Sequence, residues 1–495
     1  MLLTGILSVF TVKTLIFILG GTVAGIIMGS IPGLTVTMGV ALFLPITFGM
    51  TPVEGLSLLL GLYIGGTSGG LMSAILLKIP GTPASIATTF DGAPMAAQGQ
   101  AGKALGIGIV YSFIGGMFSL LVLIFISPLL AQVALQFGPY EYFAIAVFSL
   151  TLVAGLSSGS LILGLIAALL GLTISFIGMA PITAFPRFTF GFSALDEGIS
   201  LLPALIGLFA VSQVLEEAED RTVLKNIDMP KYDIKGFGFS MKEFRSQITN
   251  CIRSSVIGTG IGILPGLGGA VCNIMAYGAA KKRSKYPEKF GTGIMDGIVA
   301  SEASNNASTG GALVPLMTLG IPGDNTTAIL LAGFMIHGIT PGPLLFESDG
   351  VLVYGIFTAL VISNIFMIAT MFWGMRFFVR VLSVPKHVLL PVIITLCVVG
   401  SYGLNNRLFD VGTMLAFGGI GFLMKKLSLP NTPLLLGFIL GPIVEVNLRR
   451  GLMKSRGEMT PFFTEPISGV ILLITVIVVI VTAYKEYKKF NQCQY

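Results

Sequence analysis

The chain has 495 residues, 54% of them hydrophobic and only 11% charged, with 64 glycines and 25 prolines. Ordinary soluble domains carry about 25% charged residues, and apolar runs of bilayer length recur along almost the whole chain, so a soluble globular fold is excluded. The net charge of +6 sits in short loops between apolar runs, where it sets orientation and does not mark a nucleic-acid surface.

Cys251, Cys272, Cys397 and Cys493 show no CxxC spacing, so neither a disulfide framework nor a metal cluster is expected. No basic residue precedes Lys13, and no removable signal peptide is expected. The expected fold class is an all-α polytopic membrane protein, with roughly 10 to 12 transmembrane helices of about 20 residues each.

A first span at about Leu15–Met28 runs into GSIPGLTVT, where Pro32 removes a backbone donor and Gly33 permits positive φ, so the helix should break. Helix resumes over Val36–Ile46 and again over Gly55–Lys78, with Glu54 placed to suit the helix dipole. A second break falls at Ile79-Pro80-Gly81-Thr82-Pro83. Ala84–Lys103 is too polar to face lipid and is expected to be a loop or a re-entrant segment. Leu105–Leu135 is one tilted helix or two shorter elements, and spans follow near Tyr142–Leu156, Leu161–Ile177 and Ile199–Leu215.

Residues 216–253 form a charged connection, expected to hold a short helix but no separate domain. The chain therefore reads as a first transmembrane half (1–215), this connecting loop (216–253) and a second transmembrane half (254–495). The second half opens with GTGIGILPGLGG, which echoes the first break. Its two Pro-Gly breaks lie farther apart than those of the first half, and the basic loop Lys281–Phe290 accounts for the difference. The pattern is that of an internal duplication.

Later spans are expected at Val351–Val379, Val388–Val399, Gly412–Leu423 and Ile467–Ala483. Thr432–Ile443 is short, has basic residues on both sides, and is expected to be re-entrant or tilted. Lys485, Lys488 and Lys489, with the basic loops, place the C-terminus in the cytoplasm.

The polar content concentrates in SEASNNASTGGALVPLMTLGIPG (Ser301–Gly323) and its looser copy GGTSGGLMSAILLKIPG (Gly65–Gly81). Polar, Gly-broken segments at matching positions of two halves point to a transporter's substrate site. A broken helix offers N–H groups to anions at one new end and carbonyls to cations at the other. Gly33, Thr35, Gly81, Thr82, Gly266, Gly323, Asn325 and Thr326 sit at such breaks and, with Ser68, Ser304, Asn305 and Asn306, are the candidate substrate-binding residues.

Asn305, Ser308 and Thr309 supply neutral oxygens suited to Na⁺. Glu302 is an intramembrane acid, by default a functional group, and joins them as an ion-coupling candidate. The structural alternatives are ordinary surface loops for the breaks and a polar helix–helix contact for the Asn-rich stretch. Lys78, Asp91 and Asp324 are further candidates that could equally cap helix ends, while Asp296 and His337 read as structural. The residues alone indicate a small anion and a cation; no metal is expected beyond Na⁺, and no cofactor.

Gly66-Thr67-Ser68-Gly69 matches the GxSG of intramembrane serine hydrolases. That chemistry needs a histidine beside the serine, and the chain has only His337 and His387. Pro322-Gly323-Asp324 follows part of an intramembrane aspartyl protease pattern, but Ile321 stands where its first glycine belongs. No P-loop, Rossmann or HExxH pattern is present, so the chain is not expected to be an enzyme or an ATP-driven pump.

The SIPGLTVT region, the GGTSGG…KIPGTPASIATTFDGAPMA block, GILPGLGG and the EASNNASTGGALVPLMTLGIPGDNTTAILLAG block occur in this order across both halves. Together they resemble the large membrane subunit of the tripartite tricarboxylate transporters, the TctA family. The resemblance implies secondary active uptake across the bacterial inner membrane, driven by Na⁺ or H⁺. It further implies a small four-span membrane subunit and a periplasmic solute-binding protein as partners. Citrate, other tri- or dicarboxylates and related organic acids are the implied substrates. The readings kept beside it are a self-sufficient organic-anion symporter, a channel, and the intramembrane serine hydrolase.

Overall fold

The computed structural model describes residues 1–157, 160–219, 238–382 and 386–492. The chain opens with α1 (Leu2–Val9) and α2 (Val12–Ser30), the second capped by the Thr11 side chain. After the Pro32-Gly33 break, the Thr35 hydroxyl accepts from Met38 N at 3.1 Å and starts α3 (Val36–Phe43). Pro52 opens α4 (Pro52–Leu76), where Glu54 accepts from Thr51 N at 3.2 Å and lies 3.0 Å from Lys13.

The second break leads into α5 (Ile86–Met95) and, past a bend at Gly99, into α6 (Ala101–Ala134). Residues 84–103, expected to be a loop or re-entrant, are therefore largely helical. Their polar groups find partners in protein: the buried Asp91 accepts from Tyr277 Oη (2.8 Å) and from the backbone N–H of Gly291, Gly293 and Ile294 (2.9, 2.8 and 3.0 Å). Asp91 thereby ties this helix to the loop that precedes the polar helix of the second half.

Next come α7 (Pro139–Ser157), α8 (Leu161–Ser175), a two-residue antiparallel ladder of β1 (Gly178–Met179) with β2 (Pro186–Arg187), α9 (Leu201–Leu205) and α10 (Ser212–Glu219). Much of the charged connection, residues 220–237, lies outside the described residues. Its far end is not a separate short helix. Ser240 and Glu243 form a capping box, and α11 (Met241–Ile263) runs from there straight into the second half.

The second half continues with α12 (Gly268–Arg283), α13 (Met295–Leu319), α14 (Asn325–Ile336), α15 (Leu345–Ser348), α16 (Gly350–Val381), α17 (Lys386–Asn405) and α18 (Leu408–Lys426). Then follows α19 (Asn431–Lys454), a continuous helix of 24 residues, longer than the short re-entrant or tilted segment expected. The helix continues past the apolar run because Glu445 neutralises its basic end, pairing with Arg449 at 2.8 Å and with both terminal nitrogens of Arg187 at 2.7 and 3.1 Å. The chain ends with α20 (Thr460–Thr464) and α21 (Pro466–Gln492).

By length and apolarity, 9 helices among the described residues can cross a membrane, and four shorter apolar helical segments accompany them, against the 10 to 12 spans expected. The chain is an all-α polytopic membrane protein. It folds into two compact units, each drawing one stretch from each sequence half: Met1–Ala131 with Gln213–Leu404, and Gln132–Ser212 with Asn405–Tyr495. In the second unit, α8 and α19 cross so closely that a Cβ at Gly437 would meet Ala168 O, and one at Gly171 would meet Leu434 O.

The first unit contains the duplication. In the first copy α2 lies along α4, and in the second α11 lies along α13. Corresponding glycines do the same job in both. A Cβ at Gly25 would land on Leu62 O and one at Gly29 on Gly66 O; one at Gly258 would land on Ser304 O and one at Gly262 on Ser308 O. Backbones this close are the small-residue packing that replaces hydrophobic driving force inside a membrane.

The breaks match as well. Gly33 (φ 92°) corresponds to Gly266 (φ 77°), and Gly81, which packs on Gly29 O, corresponds to Gly323, which packs on Gly262 O. Lys78 (φ 57°) stands where the second copy has Gly320 (φ 70°), each ending its long helix in the left-handed region. The extra length of the second copy lies between α12 and α13, as the basic loop Lys281–Phe290 implied.

Candidate functional site

The site is where the two copies meet inside the first unit. The short helix of each copy packs against the segment that follows the second break of the other: α3 against α14, and α12 against Pro83–Ser85 and α5. The first junction is closed. Thr37 and Thr326 share a hydrogen bond of 2.9 Å, and the Tyr63 hydroxyl donates to Asp324 at 2.7 Å. Asp324 also caps α14, accepting from Thr327 N at 2.7 Å.

The long polar helix α13 faces the first copy along one side. Ser68 Oγ donates to Asn306 Oδ1 at 2.6 Å, and Asn305 Nδ2 donates to the Thr67 carbonyl at 3.1 Å. One turn earlier the fully buried Glu302 accepts from Thr88 Oγ1 at 2.5 Å and from Ser112 Oγ at 2.9 Å. Gly115 of α6 sits against the Ala303 carbonyl and holds α6 within reach of Glu302. Glu302 is thus an interior carboxylate held by two hydroxyls, with no cation bonded to it among the described residues.

The remaining expected residues divide. Gly266 N donates to Gly323 O at 2.7 Å, which locks the two breaks of the second copy together. Gly81 and Gly323 pack on backbone and have no room for a side chain. Thr35 is spent as the cap of α3. Ser304 donates to carbonyls of its own helix, as do Ser308 (2.7 Å to Asn305 O) and Thr309 (2.7 Å to Asn306 O). Such back-bonds leave the oxygen lone pairs of Ser308 and Thr309 available as acceptors. Thr82 Oγ1, Asn305 Oδ1 and Asn325 Oδ1 are buried and have no hydrogen-bond partner among the described residues.

Several contributors escaped the sequence reading. Tyr63, Ser112 and Asn273 enter the network from helices that looked apolar or small, and Thr88 enters it from the polar segment after the second break. Glu217 lies with its carboxylate against Gly33, so one anion-favouring break faces an acid of the chain itself. Only Thr88, in the conspicuous SIATTFDGAP stretch, carried a local signal. Lys78, at the exposed end of α4, and Asp91, tied to backbone amides, take the helix-end and structural roles left open for them. Asp296 accepts from Gln247 and Asn250 as a structural group. Ser68 donates to an asparagine and not to a histidine, so no hydrolytic dyad forms at the GxSG sequence.

Residues 15–436 match the Tripartite tricarboxylate transporter TctA family. The chain belongs to the TctA family. It is therefore the membrane subunit of a tripartite tricarboxylate transporter, a transport component and not an enzyme, working with other subunits. The TctA match spans both copies of the duplication. Among curated proteins, the chain is 35% identical over 470 residues to the uncharacterized 52.8 kDa protein in the TAR-I ttuC' 3' region of Agrobacterium vitis, covering 95% of this chain and 93% of that one. It is also 35% identical over 232 residues to the uncharacterized protein in the TAR-II ttuC' 3' region of the same organism, covering 46% of this chain and 96% of that one. No solved structure matches the chain.

Proposed function

We propose that this TctA subunit takes up a tri- or dicarboxylate, citrate in the first instance, from a periplasmic solute-binding protein, together with a small four-span membrane subunit and at the expense of an ion gradient. The observation that carries this reading is the meeting of both copies' breaks beside the polar face of α13. Backbone N–H groups at Gly33, Gly81 and Gly323, with Thr82, Ser68, Asn305, Asn306, Asn325 and Thr326, would receive the carboxylates. Helix N-termini favour anions in this way, and discontinuous helices place such ends at mid-membrane in other secondary transporters. The coupling ion is Na⁺ or H⁺, taken up by Glu302 or by the oxygens of Asn305, Ser308 and Thr309. The bacterial inner membrane is the location, and the basic tail puts the C-terminus in the cytoplasm.

Uptake of radiolabelled citrate and other carboxylates into proteoliposomes tests this, with and without the two partners and with imposed Na⁺ or pH gradients. Accumulation that needs the partners and one gradient is the expected result. Accumulation by this chain alone would replace it with a self-sufficient symporter, and equilibration without accumulation with a channel.

A further inference from the structure

The two junctions are related by the duplication, and their residues can be compared position by position. In the closed junction the α3 side presents Val36, Thr37 and Val40, and the segment it packs on presents Thr326. The corresponding residues of the other junction are Gly269, Ala270, Asn273 and Ala84. Three of the four have lost bulk, and the fourth has gained an amide. Where Val36 packs against Gly66, Gly269 stands beside Ser308 instead.

The polar groups change in the opposite sense. The counterpart of the Tyr63–Asp324 hydrogen bond is the pair Asn305 and Thr82, and neither Asn305 Oδ1 nor Thr82 Oγ1 has a partner among the described residues. Asn273 Oδ1 is likewise unpartnered. All three residues are at least nine-tenths buried: Asn305 0%, Asn273 0% and Thr82 4% exposed. The amide orientations are fixed, because Asn305 Nδ2 donates to Thr67 O and Asn273 Nδ2 to Ala84 O. The atoms left without a partner are therefore oxygens.

A Cβ placed on Gly269 would come 2.7 Å from Asn305 Oδ1, 2.8 Å from Ala84 Cβ and 3.4 Å from Ser308 Oγ, so the Asn305 and Ser308 oxygens converge on the bare backbone of Gly269. Unpaired buried acceptors are costly unless something supplies positive charge or a donor. A carboxylate cannot do so. A monovalent cation coordinated by neutral oxygens can.

We propose that the junction around Gly269 is a Na⁺ site, formed by Asn305, Asn273, Ser308 and Thr82, and that only this one of the two related junctions binds an ion. This assigns the coupling ion of the transport reading above and rests on that reading only for the word coupling. Binding itself needs neither substrate nor partners. Glu302, a turn earlier on α13 and held by Thr88 and Ser112, lies outside this oxygen set.

The experiment is thermal unfolding of the purified full chain in detergent, titrated with NaCl against choline chloride at constant ionic strength and with KCl as a third series. The expected result is saturable stabilisation by Na⁺ beyond that by choline. Asn273→Leu and Ser308→Ala should each raise the Na⁺ midpoint at least tenfold while leaving the melting temperature in choline near that of the parent. Gly269→Ala, which intrudes on the oxygens, should do the same. Tyr63→Phe, at the closed junction, should leave the Na⁺ midpoint unchanged.

Equal stabilisation by Na⁺ and choline in the parent chain overturns the site. So does an unchanged Na⁺ midpoint in both Asn273→Leu and Ser308→Ala. Saturable Na⁺ binding without any carboxylate uptake would leave this site standing and remove the substrate reading. Carboxylate uptake driven by a pH gradient, without Na⁺ binding, would do the reverse.

Discussion

The two copies of the duplicated element share a backbone and differ in what fills it. Both pair a long helix with a Gly-lined neighbour through backbone contact, both break at Pro-Gly, and in both a hydroxyl three residues on accepts from the backbone N–H after the break, Ser85 from Thr82 and Thr327 from Asp324. Yet α4 carries Leu60, Tyr63, Ile64 and Gly66 where α13 carries Glu302, Asn305, Asn306 and Ser308. The first copy thus serves largely as an apolar frame, and the second brings the chemistry. Packing needs of the fold constrain the glycines in both copies equally, whereas the proposed site draws most of its polar side chains from the second.

The largest effects should fall on what the copies share. Gly29→Val and Gly262→Val each place a side chain on a carbonyl of the neighbouring helix. Overpacking of this kind costs on the order of 1–3 kcal/mol or more. Both variants should lose most of the monodisperse protein recovered in detergent. A normal yield from either one would mean that the copies are not equivalent in packing.

Next come changes confined to the second copy. Asn305→Ala or Asn306→Ala should reduce carboxylate uptake to background in proteoliposomes, with membrane expression intact. Tyr63→Phe, the counterpart position to Asn305, should keep substantial uptake. Loss in Tyr63→Phe equal to that in Asn305→Ala would erase the contrast.

A smaller effect is expected at Glu302. In Glu302→Gln the Nε2 end can no longer accept from one of the two hydroxyls, which leaves a buried group unmatched at about 1–3 kcal/mol. Its melting temperature should fall by a few degrees, and Na⁺-driven uptake should persist. Abolished uptake in a well-folded Glu302→Gln would shift the coupling to a proton on that carboxylate.

Least of all should follow Lys78→Gly, which gives the first copy the glycine that its partner has at Gly320. A non-glycine residue in the left-handed region costs roughly 1–2 kcal/mol, so this variant should melt slightly higher. A lower melting temperature would show that the Lys78 charge at the end of α4 outweighs the backbone strain.

The membrane class, the duplication, the positions of the breaks and the polar stretch on α13 are legible along the chain, because they depend on apolar run length, on Pro and Gly chemistry and on local composition. The sequence left residues 84–103 open between loop and re-entrant segment, and it made Thr432–Ile443 shorter than the helix that contains it. Polarity read along the chain cannot show that Asp91 is satisfied by backbone amides two hundred residues away, nor that Arg187 and Arg449 are neutralised by Glu445. Contacts between distant residues settle which candidates are spent on packing and capping, as Ser304, Thr35 and Gly266 are, and which keep unpaired oxygens, as Asn305 and Thr82 do. That distinction depends on hydrogen bonds between residues far apart in sequence, and on whether the residue across the junction is Val36 or Gly269. No local pattern encodes it.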